Sequence, residues 1–245
     1  MLKSRLMKYS LKLPNRLHVS VIGYADDSTV VVNDEIGIVD CLNVIHCYER
    51  ATGAKINMKK TSILGIGKWQ GKSVWPISGL KVEYGTCKIL GIYHANNYER
   101  SLTLNWENVE LKLNRLIGIM QSRKLTILQK AVVINCKILA KTWYLSHVYP
   151  IPTEYAKRIQ KSVFKYLWNG NYEPINRRTM YLPKCRGGCG ILDIVYKTKA
   201  LLFNTFCKGL SCEKLGFRLM IYYCQIKATF LIDNHGFNEA TLVTP

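Results

Sequence analysis

The stretch Tyr24-Ala25-Asp26-Asp27 decides how the N-terminal part of this chain folds. Residues 17–22 before it alternate in the manner of a strand, and residues 28–32 after it form a second run with a strand-like composition. Two such runs around a short turn predict a tight β-hairpin with Asp26 and Asp27 at its tip. Two adjacent carboxylates repel each other unless a cation lies between them. Because Mg²⁺ prefers hard oxygen ligands, the stretch predicts a magnesium-binding turn.

Three further motifs follow in order. The segment from Gly53 to Thr61 contains Asn57-Met58-Lys59-Lys60-Thr61, and Lys88-Ile89-Leu90-Gly91-Ile92 comes next. The third is Gly187-Gly188-Cys189-Gly190-Ile191-Leu192-Asp193-Ile194. Together with Tyr-Ala-Asp-Asp, this order and spacing resembles the later palm motifs, thumb and post-thumb signature of the reverse transcriptases of non-LTR (LINE-type) retrotransposons. The resemblance covers most of residues 17–205, and Cys189 stands where the family usually has leucine.

The resemblance implies an RNA-directed DNA polymerase that copies an RNA template from a DNA primer with deoxynucleotide triphosphates and Mg²⁺. It implies that Asp26 and Asp27 are the metal ligands, and that Lys60 is a catalytic residue beside the leaving pyrophosphate. A lysine there can act as a general acid or as a charge clamp. The alternative for the carboxylates is an ordinary turn, in which aspartate is common. Lys55 and Lys59 flank Lys60, so its assignment rests on the motif.

Three more residues are assigned to nucleic-acid binding by the same resemblance. Tyr24 is expected close to the primer end, and a core aromatic is the competing interpretation. Leu90 and Gly91 resemble the primer-grip hairpin, where glycine permits close backbone approach; a plain turn is the alternative. Glycines before a helix can also cradle phosphate, but Gly187–Gly190 lacks the spacing of known nucleotide motifs.

The charge pattern also favours a nucleic-acid partner. The chain has 245 residues and a formal net charge of +19. Between residues 111 and 192 there are 15 lysines and arginines but only two acids, Glu154 and Glu173. A solvated helical surface usually carries both signs, so this imbalance predicts a surface that follows phosphates. The candidate contact residues are Lys124, Lys130, Lys137, Arg177 and Arg178.

The fold class predicted is α+β: a partial antiparallel palm sheet with a crossing helix, followed by an all-helical, thumb-like bundle. We divide the chain into a partial palm at 1–100, a thumb-like region at 101–170, and a post-thumb region at 171–245. The last region comprises a basic loop, a helix and an unassigned tail from residue 216.

Helical periodicity defines the expected elements. Asp34 and Gly53 are expected to cap the two ends of the crossing helix. Thr126, Thr153 and Asp193 are expected to cap three later helices. The buried face expected in the crossing helix consists of Ile38, Leu42, Ile45 and Tyr48. The face expected in the first thumb-like helix consists of Val109, Leu113, Leu116, Ile117 and Met120. The second has Leu128, Val132, Leu139 and Trp143, and the third has Ala156, Ile159, Val163, Leu167 and Trp168.

The nine cysteines, an odd number without a small-domain spacing, indicate free thiols in a reducing compartment. We therefore expect an intracellular protein, nuclear or cytoplasmic and not secreted, without a membrane span. The cysteines at 185, 189, 207 and 212 have no nearby histidine, so no zinc is expected. The basic start could be a mitochondrial presequence, but a palm helix fits the resemblance better.

The family's metal site needs another aspartate on an earlier palm strand, and no acid precedes Tyr24. Because two carboxylates alone cannot hold a pair of magnesium ions, we expect this chain to be inactive by itself. The leading interpretation is a fragment of a non-LTR reverse transcriptase. The alternative is a non-catalytic, basic relic that binds nucleic acid.

Overall fold

A computed structural model describes residues 2–12, 18–65, 81–83, 85–95, 97–170 and 172–210. Within these ranges no helix is long and apolar enough to cross a membrane. The chain divides into two compact units, with the boundary between Leu104 and Asn105. Helices combine with short strands, as the α+β prediction requires.

The first unit contains the strands and the helix predicted to cross them. Its helices are α1 (Leu2–Arg5), a 3₁₀ turn (Leu6–Tyr9), α2 (Glu35–Thr52) and the start of α3 (Tyr98–Gln121). Its strands are β1 (Leu11–Lys12), β2 (His18–Val19), β3 (Val21–Tyr24), β4 (Asp27–Val30), β5 (Ser62–Leu64), β6 (Lys81–Glu83), β7 (Thr86–Ile89) and β8 (Ile92–Ala95).

The described strands form pairs rather than the one antiparallel sheet that was predicted. The pairs β1–β2, β3–β4 and β7–β8 are antiparallel, whereas β5 and β6 run parallel. The apolar composition of residues 88–93 predicts a single short strand, but the segment contains the Leu90-Gly91 turn of the β7–β8 hairpin. The four glycines and one proline between residues 67 and 85 predict a loop, most of which lies outside the described residues.

Helix α2 begins and ends as predicted, but its buried face differs. Asp34 accepts a hydrogen bond from the Gly37 amide, and Gly53 ends the helix in the left-handed conformation with φ of 74°. The buried residues are Gly37, Cys41 and Val44, one position before the expected set. Ile38, Leu42 and Ile45 of the expected set are half-buried and Tyr48 is exposed. At Gly37 the packing is close, since a Cβ there would lie 3.0 Å from the side chains of Tyr9 and Val32.

The second unit is helical in its described part. After the remainder of α3, its helices are α4 (Ile127–Val133), a π-helical segment (Ile134–Ile138), α5 (Ala140–Ser146), α6 (Thr153–Trp168), α7 (Arg177–Tyr181), a 3₁₀ turn (Lys184–Arg186) and α8 (Ile194–Leu210). Its core is built from side chains of α3, α4, the π-helical segment, α6 and the segment before α8, including Leu113, Ile134, Ile159, Phe164 and Ile191.

The face predicted for α3 is confirmed, since Leu113, Ile117 and Met120 are buried. Of the face predicted for the second thumb-like helix, Leu139 is buried and Trp143 is half-buried against the core, as expected, but Leu128 and Val132 are each 51% exposed. The π-helical turn explains the error. It adds one residue between the two halves of the helix, which moves the upstream buried position from Val132 to Ala131.

The predicted caps of the later helices have mixed outcomes. Thr126 forms a capping box with Gln129, and Asp193 accepts hydrogen bonds from the amides of Val195 and Tyr196. Thr153 is not a cap: α6 starts after Pro152, without a side-chain capping bond. Asn169, in the left-handed conformation, ends that helix.

Candidate functional site

The Tyr-Ala-Asp-Asp stretch forms the predicted hairpin. Tyr24 pairs with Asp27 across the strands, so Ala25 and Asp26 form a two-residue turn. Ala25 has φ of 52°, a left-handed conformation that is uncommon for a residue with a Cβ. Strained turns of this kind occur where a site fixes the backbone. The turn therefore presents two consecutive carboxylates at the end of β3–β4.

The side chains of this turn face solvent. Asp26 and Asp27 are exposed, and Tyr24 is 68% exposed, so the core-aromatic interpretation of Tyr24 is wrong. Among the described residues, no lysine or arginine forms an ion pair with either aspartate. Two uncompensated carboxylates side by side attract a cation.

The donor chemistry of this pair fits one hard cation such as Mg²⁺. Such an ion is commonly held by one or two carboxylates, with water and phosphate oxygens completing its shell. Within the described part of the chain, no cluster of three or more His, Cys, Asp or Glu side chains could hold a metal. Asp26 and Asp27 would therefore need further oxygen ligands, from a substrate or from another segment, to hold two ions.

Lys60 lies in a different turn of the same unit. The backbone amide of Lys60 donates to the carbonyl of Asn57 at 3.0 Å and to its side-chain oxygen at 3.3 Å. Asn57 therefore fixes the turn. The loop leading to it is held to α2, because the Glu49 carboxylate accepts from the Ile56 amide at 2.6 Å. That bond lowers the pKa of Glu49. The Lys60 side chain is exposed.

Leu90 and Gly91 form the tight turn between β7 and β8. Their φ values are 48° and 84°, and two consecutive positive values are typical of a type I′ hairpin turn. Gly91 adopts this conformation without strain, whereas Leu90 does not. Among the described residues, the non-glycine positions with positive φ are Ala25, Leu90 and Asn169. Two of these three lie in the turns that the sequence assigned to the site.

Lys130 does not lie on the surface, and its predicted position there is wrong. It is 4% exposed, and its ammonium donates to the carbonyls of Tyr166 and Leu167 at 3.2 and 3.3 Å and to the Asn169 side chain at 2.5 Å. The last carbonyls of α6 have no partner within the helix, so a cation there is stabilising. Burial lowers the pKa of Lys130.

The other candidate cations differ in whether they form an ion pair with an acid. Lys124 and Lys137 are exposed, in the α3–α4 turn and the π-helical segment. Arg177 forms a bidentate ion pair with Glu173 and stacks on the Phe164 ring at 4.8 Å. Arg178 is exposed. The basic loop predicted in the post-thumb region was expected to contain Arg177 and Arg178. In the structure both arginines instead begin α7.

In the second unit, one acid is paired with an arginine and a row of lysines lies along one helix. Arg158 of α6 forms a bidentate ion pair with Glu110 of α3. Its Nε donates to Oε1 and its Nη2 donates to Oε2, each at 2.9 Å. Lys157, Lys161 and Lys165 follow one another at four-residue spacing on the exposed side of α6. On a helix this spacing places them on one face, roughly 6 Å apart along the axis. The result is a positive stripe of the kind that follows a phosphate backbone.

The segment Gly187–Ile194 is a packing motif. Gly188 lies so close to the preceding backbone that a Cβ would be 2.0 Å from the carbonyl oxygen of Leu182. The amides of residues 187–191 donate to carbonyls of residues 180–184. The Leu192 amide donates to the Asn135 side chain at 3.0 Å. Because these amides are already used, they do not form a phosphate cradle.

Sequence analysis missed Asn135, which joins α4–α5 to the glycine segment. Its side-chain nitrogen donates to the Gly190 carbonyl at 2.8 Å, while its oxygen accepts from Leu192. The available signal was an amide side chain directly after the apolar run 131–134 of a helix. Such a residue needs a specific hydrogen-bonding partner when it is part-buried.

The cysteines considered for zinc do not form a cluster in the described region. Cys185 and Cys207 are exposed and Cys189 is half-buried, all as free thiols. Cys212 lies outside the described residues.

Comparison with known proteins gives one informative similarity. The chain is 26% identical over 197 residues to a Xenopus laevis protein, the transposon TX1 uncharacterized 149 kDa protein. The match covers 79% of this chain but only 15% of that protein. No protein-family model matches the chain. The similarity supports an origin of this chain in a mobile element.

Proposed function

We propose that this chain is the palm and thumb portion of the reverse transcriptase of a non-LTR mobile element. The observation that carries the proposal is the β3–β4 turn, which presents Asp26 and Asp27 together beside Tyr24. The transposon origin and the order of the later motifs support it. The first unit is then a partial palm and the second unit a thumb-like bundle with the post-thumb segment docked on it.

In this proposal Asp26 and Asp27 bind Mg²⁺, which supplies charge neutralisation at the transferred phosphate when it is bound. Tyr24 lies beside the primer end. Lys60 neutralises or protonates the pyrophosphate, and Leu90-Gly91 supports the primer strand. Lys124, Lys137 and Arg178 contact the nucleic-acid backbone, together with the lysine stripe of α6. Lys130 and Arg177 instead hold the helices in place.

The chain alone is proposed to be inactive in DNA synthesis. A two-metal site needs more ligands than a pair of adjacent carboxylates. We propose that a third carboxylate must come from a further palm strand. The same need for a partner segment fits the small share of the transposon protein that the match covers.

The alternative function, a non-catalytic nucleic-acid-binding relic, is favoured by the charge of the second unit. That charge would persist whether or not the turn binds a metal. The two proposals agree on nucleic-acid binding and differ in whether Asp26 and Asp27 still serve as ligands.

The test uses the purified full chain with a labelled RNA–DNA hybrid in which the DNA strand is a primer. We expect binding that weakens steeply between 50 and 300 mM salt, as contact with about five or more phosphates requires. We expect no primer extension with Mg²⁺ and deoxynucleotide triphosphates. Absence of hybrid binding would contradict both proposals. Extension that Asp26→Asn abolishes would support the polymerase and overturn the proposed inactivity.

A further inference from the structure

The outer face of α8 carries two large aromatic side chains in solvent. Tyr196 is 75% exposed and Phe203 is 67% exposed. They are seven residues apart, so they lie on the same side of the helix, roughly 10 Å apart along its axis. Ala200 and Cys207 are exposed between and beyond them.

Exposure alone does not distinguish these rings, because Tyr144 and Tyr172 of the second unit are 57% and 81% exposed. The feature that distinguishes them is their regular spacing on one side of a single helix. On α8 itself, Ile194 and Thr198 are 1% and 2% exposed, so the helix already has a packed side. Tyr196 and Phe203 lie opposite that side. An exposed pair of rings at regular spacing indicates a contact surface.

The charge around the rings selects the partner. No acid occurs from Ile194 to Leu210, and of the three lysines on this helix Lys199 lies on the side of the rings, whereas Lys197 and Lys208 lie roughly 100° or more away around the axis. Lys199 is exposed and lies between the two rings along the sequence. Asp193, just before the helix, is held at its N-terminus by the amides of Val195 and Tyr196. The face is therefore aromatic and positive, which complements a flexible anion with flat apolar groups.

We infer that the α8 face formed by Tyr196, Lys199 and Phe203, here called the α8 platform, binds single-stranded nucleic acid. Two unstacked bases lie on the Tyr196 and Phe203 rings, and Lys199 contacts the intervening phosphate. The inference rests on the proposed function, because that function brings a nucleic acid to the second unit. A duplex does not fit the platform, since its bases are stacked on one another and their faces are not available.

The experiment measures the affinity of the full chain for an unstructured single strand and for an RNA–DNA hybrid of the same length. The double variant Tyr196→Ala, Phe203→Ala removes both rings. We expect its single-strand affinity to fall roughly 30-fold or more, as loss of two stacking contacts implies. Hybrid affinity should change less than about twofold. Tyr196→Phe with Phe203→Tyr keeps both rings and should retain single-strand affinity.

Tyr172→Ala is the matched control, because Tyr172 is 81% exposed in a different segment and should not affect the single strand. Photocrosslinking of a 4-thiouridine strand to the unaltered chain gives a second readout that does not depend on how the variants fold. We expect the crosslink on α8.

The outcomes distinguish failure of the platform alone from failure of the proposed function. Loss of single-strand affinity with a crosslink on α8 supports the platform. Unchanged single-strand affinity, an equal fall for single strand and hybrid, or a crosslink elsewhere overturns it while leaving the proposed function standing. Binding of neither nucleic acid contradicts both. A dimer that the double alanine variant converts to monomer in sedimentation assigns the face to a second copy and also overturns the platform.

Discussion

Asn135 and Gly190 are joined across 55 positions of the chain by a hydrogen bond of 2.8 Å, from the Asn135 side-chain nitrogen to the Gly190 carbonyl. The same side chain accepts from the Leu192 amide. One amide group therefore connects the π-helical segment to the glycine motif that precedes α8. The glycine motif is therefore held against the π-helical segment, which the pattern of its glycines does not predict.

Asn135→Ala should lower the free energy of unfolding by about 1–3 kcal/mol, because it leaves a backbone donor and acceptor without their partner. Urea denaturation of the full chain measures the change. Asn114→Ala, at an exposed position of α3, is the matched control and should stay within about 0.5 kcal/mol of the parent. Equal stabilities of the two variants would contradict the proposed connection.

Gly188→Ala should be among the most destabilising small substitutions in the second unit. The added Cβ would lie 2.0 Å from the Leu182 carbonyl oxygen and 2.6 Å from that of Thr179, and both are backbone atoms that cannot move aside cheaply. We expect a loss of more than about 3 kcal/mol in the free energy of unfolding. Gly118→Ala, the same change in open space on α3, should instead stabilise by up to about 1 kcal/mol. A tolerated Gly188→Ala would show that the turn packs less closely than described.

Lys130→Met separates a structural cation from a nucleic-acid contact. We expect it to lower the free energy of unfolding by about 1 kcal/mol, because the end of α6 loses its donor while the burial penalty of the charge is removed. Affinity for the RNA–DNA hybrid should change less than about twofold. Lys124→Met and Lys137→Met, at exposed positions, should weaken hybrid binding and reduce the salt slope by about one each. A loss of affinity in Lys130→Met as large as theirs would contradict the assignment.

Tyr181 should make the second unit sensitive to alkaline pH. Burial, reinforced by the nearby Asp193 carboxylate, raises the pKa of Tyr181 to about 12. A group whose folded pKa exceeds its unfolded value near 10 stabilises the fold fully below pH 10, and that contribution is lost as the pH rises towards 12. Denaturation at several pH values should therefore show a steeper decline for the parent than for Tyr181→Phe. Parallel declines would contradict the raised pKa.

The local features of this fold were predictable from sequence. The β3–β4 hairpin follows from two strand-like runs around Asp26 and Asp27, and the capping roles of Asp34, Thr126 and Asp193 follow from side-chain chemistry next to a helix start. Each depends on a few consecutive residues, so short-range rules are sufficient.

Features that depend on distant partners were not predictable in the same way. The π-helical turn moved the buried face of α4 away from Val132. A prediction based on the regular repeat of 3.6 residues per turn does not include the one residue that this turn adds. Lys130 was counted as a surface cation because its partners lie 36 to 39 residues further along the chain.

The most direct test of the central claim is Mn²⁺ binding to the full chain, followed through the electron paramagnetic resonance signal of the free ion, with Mn²⁺ standing in for Mg²⁺ at oxygen ligands. The double variant Asp26→Asn, Asp27→Asn is compared with Asp34→Asn, which changes a helix-capping carboxylate elsewhere. We predict one weak site that the double variant loses and Asp34→Asn retains, and competition for that site by Mg²⁺. The same Mn²⁺ binding in all three proteins would contradict a metal-binding role for the turn.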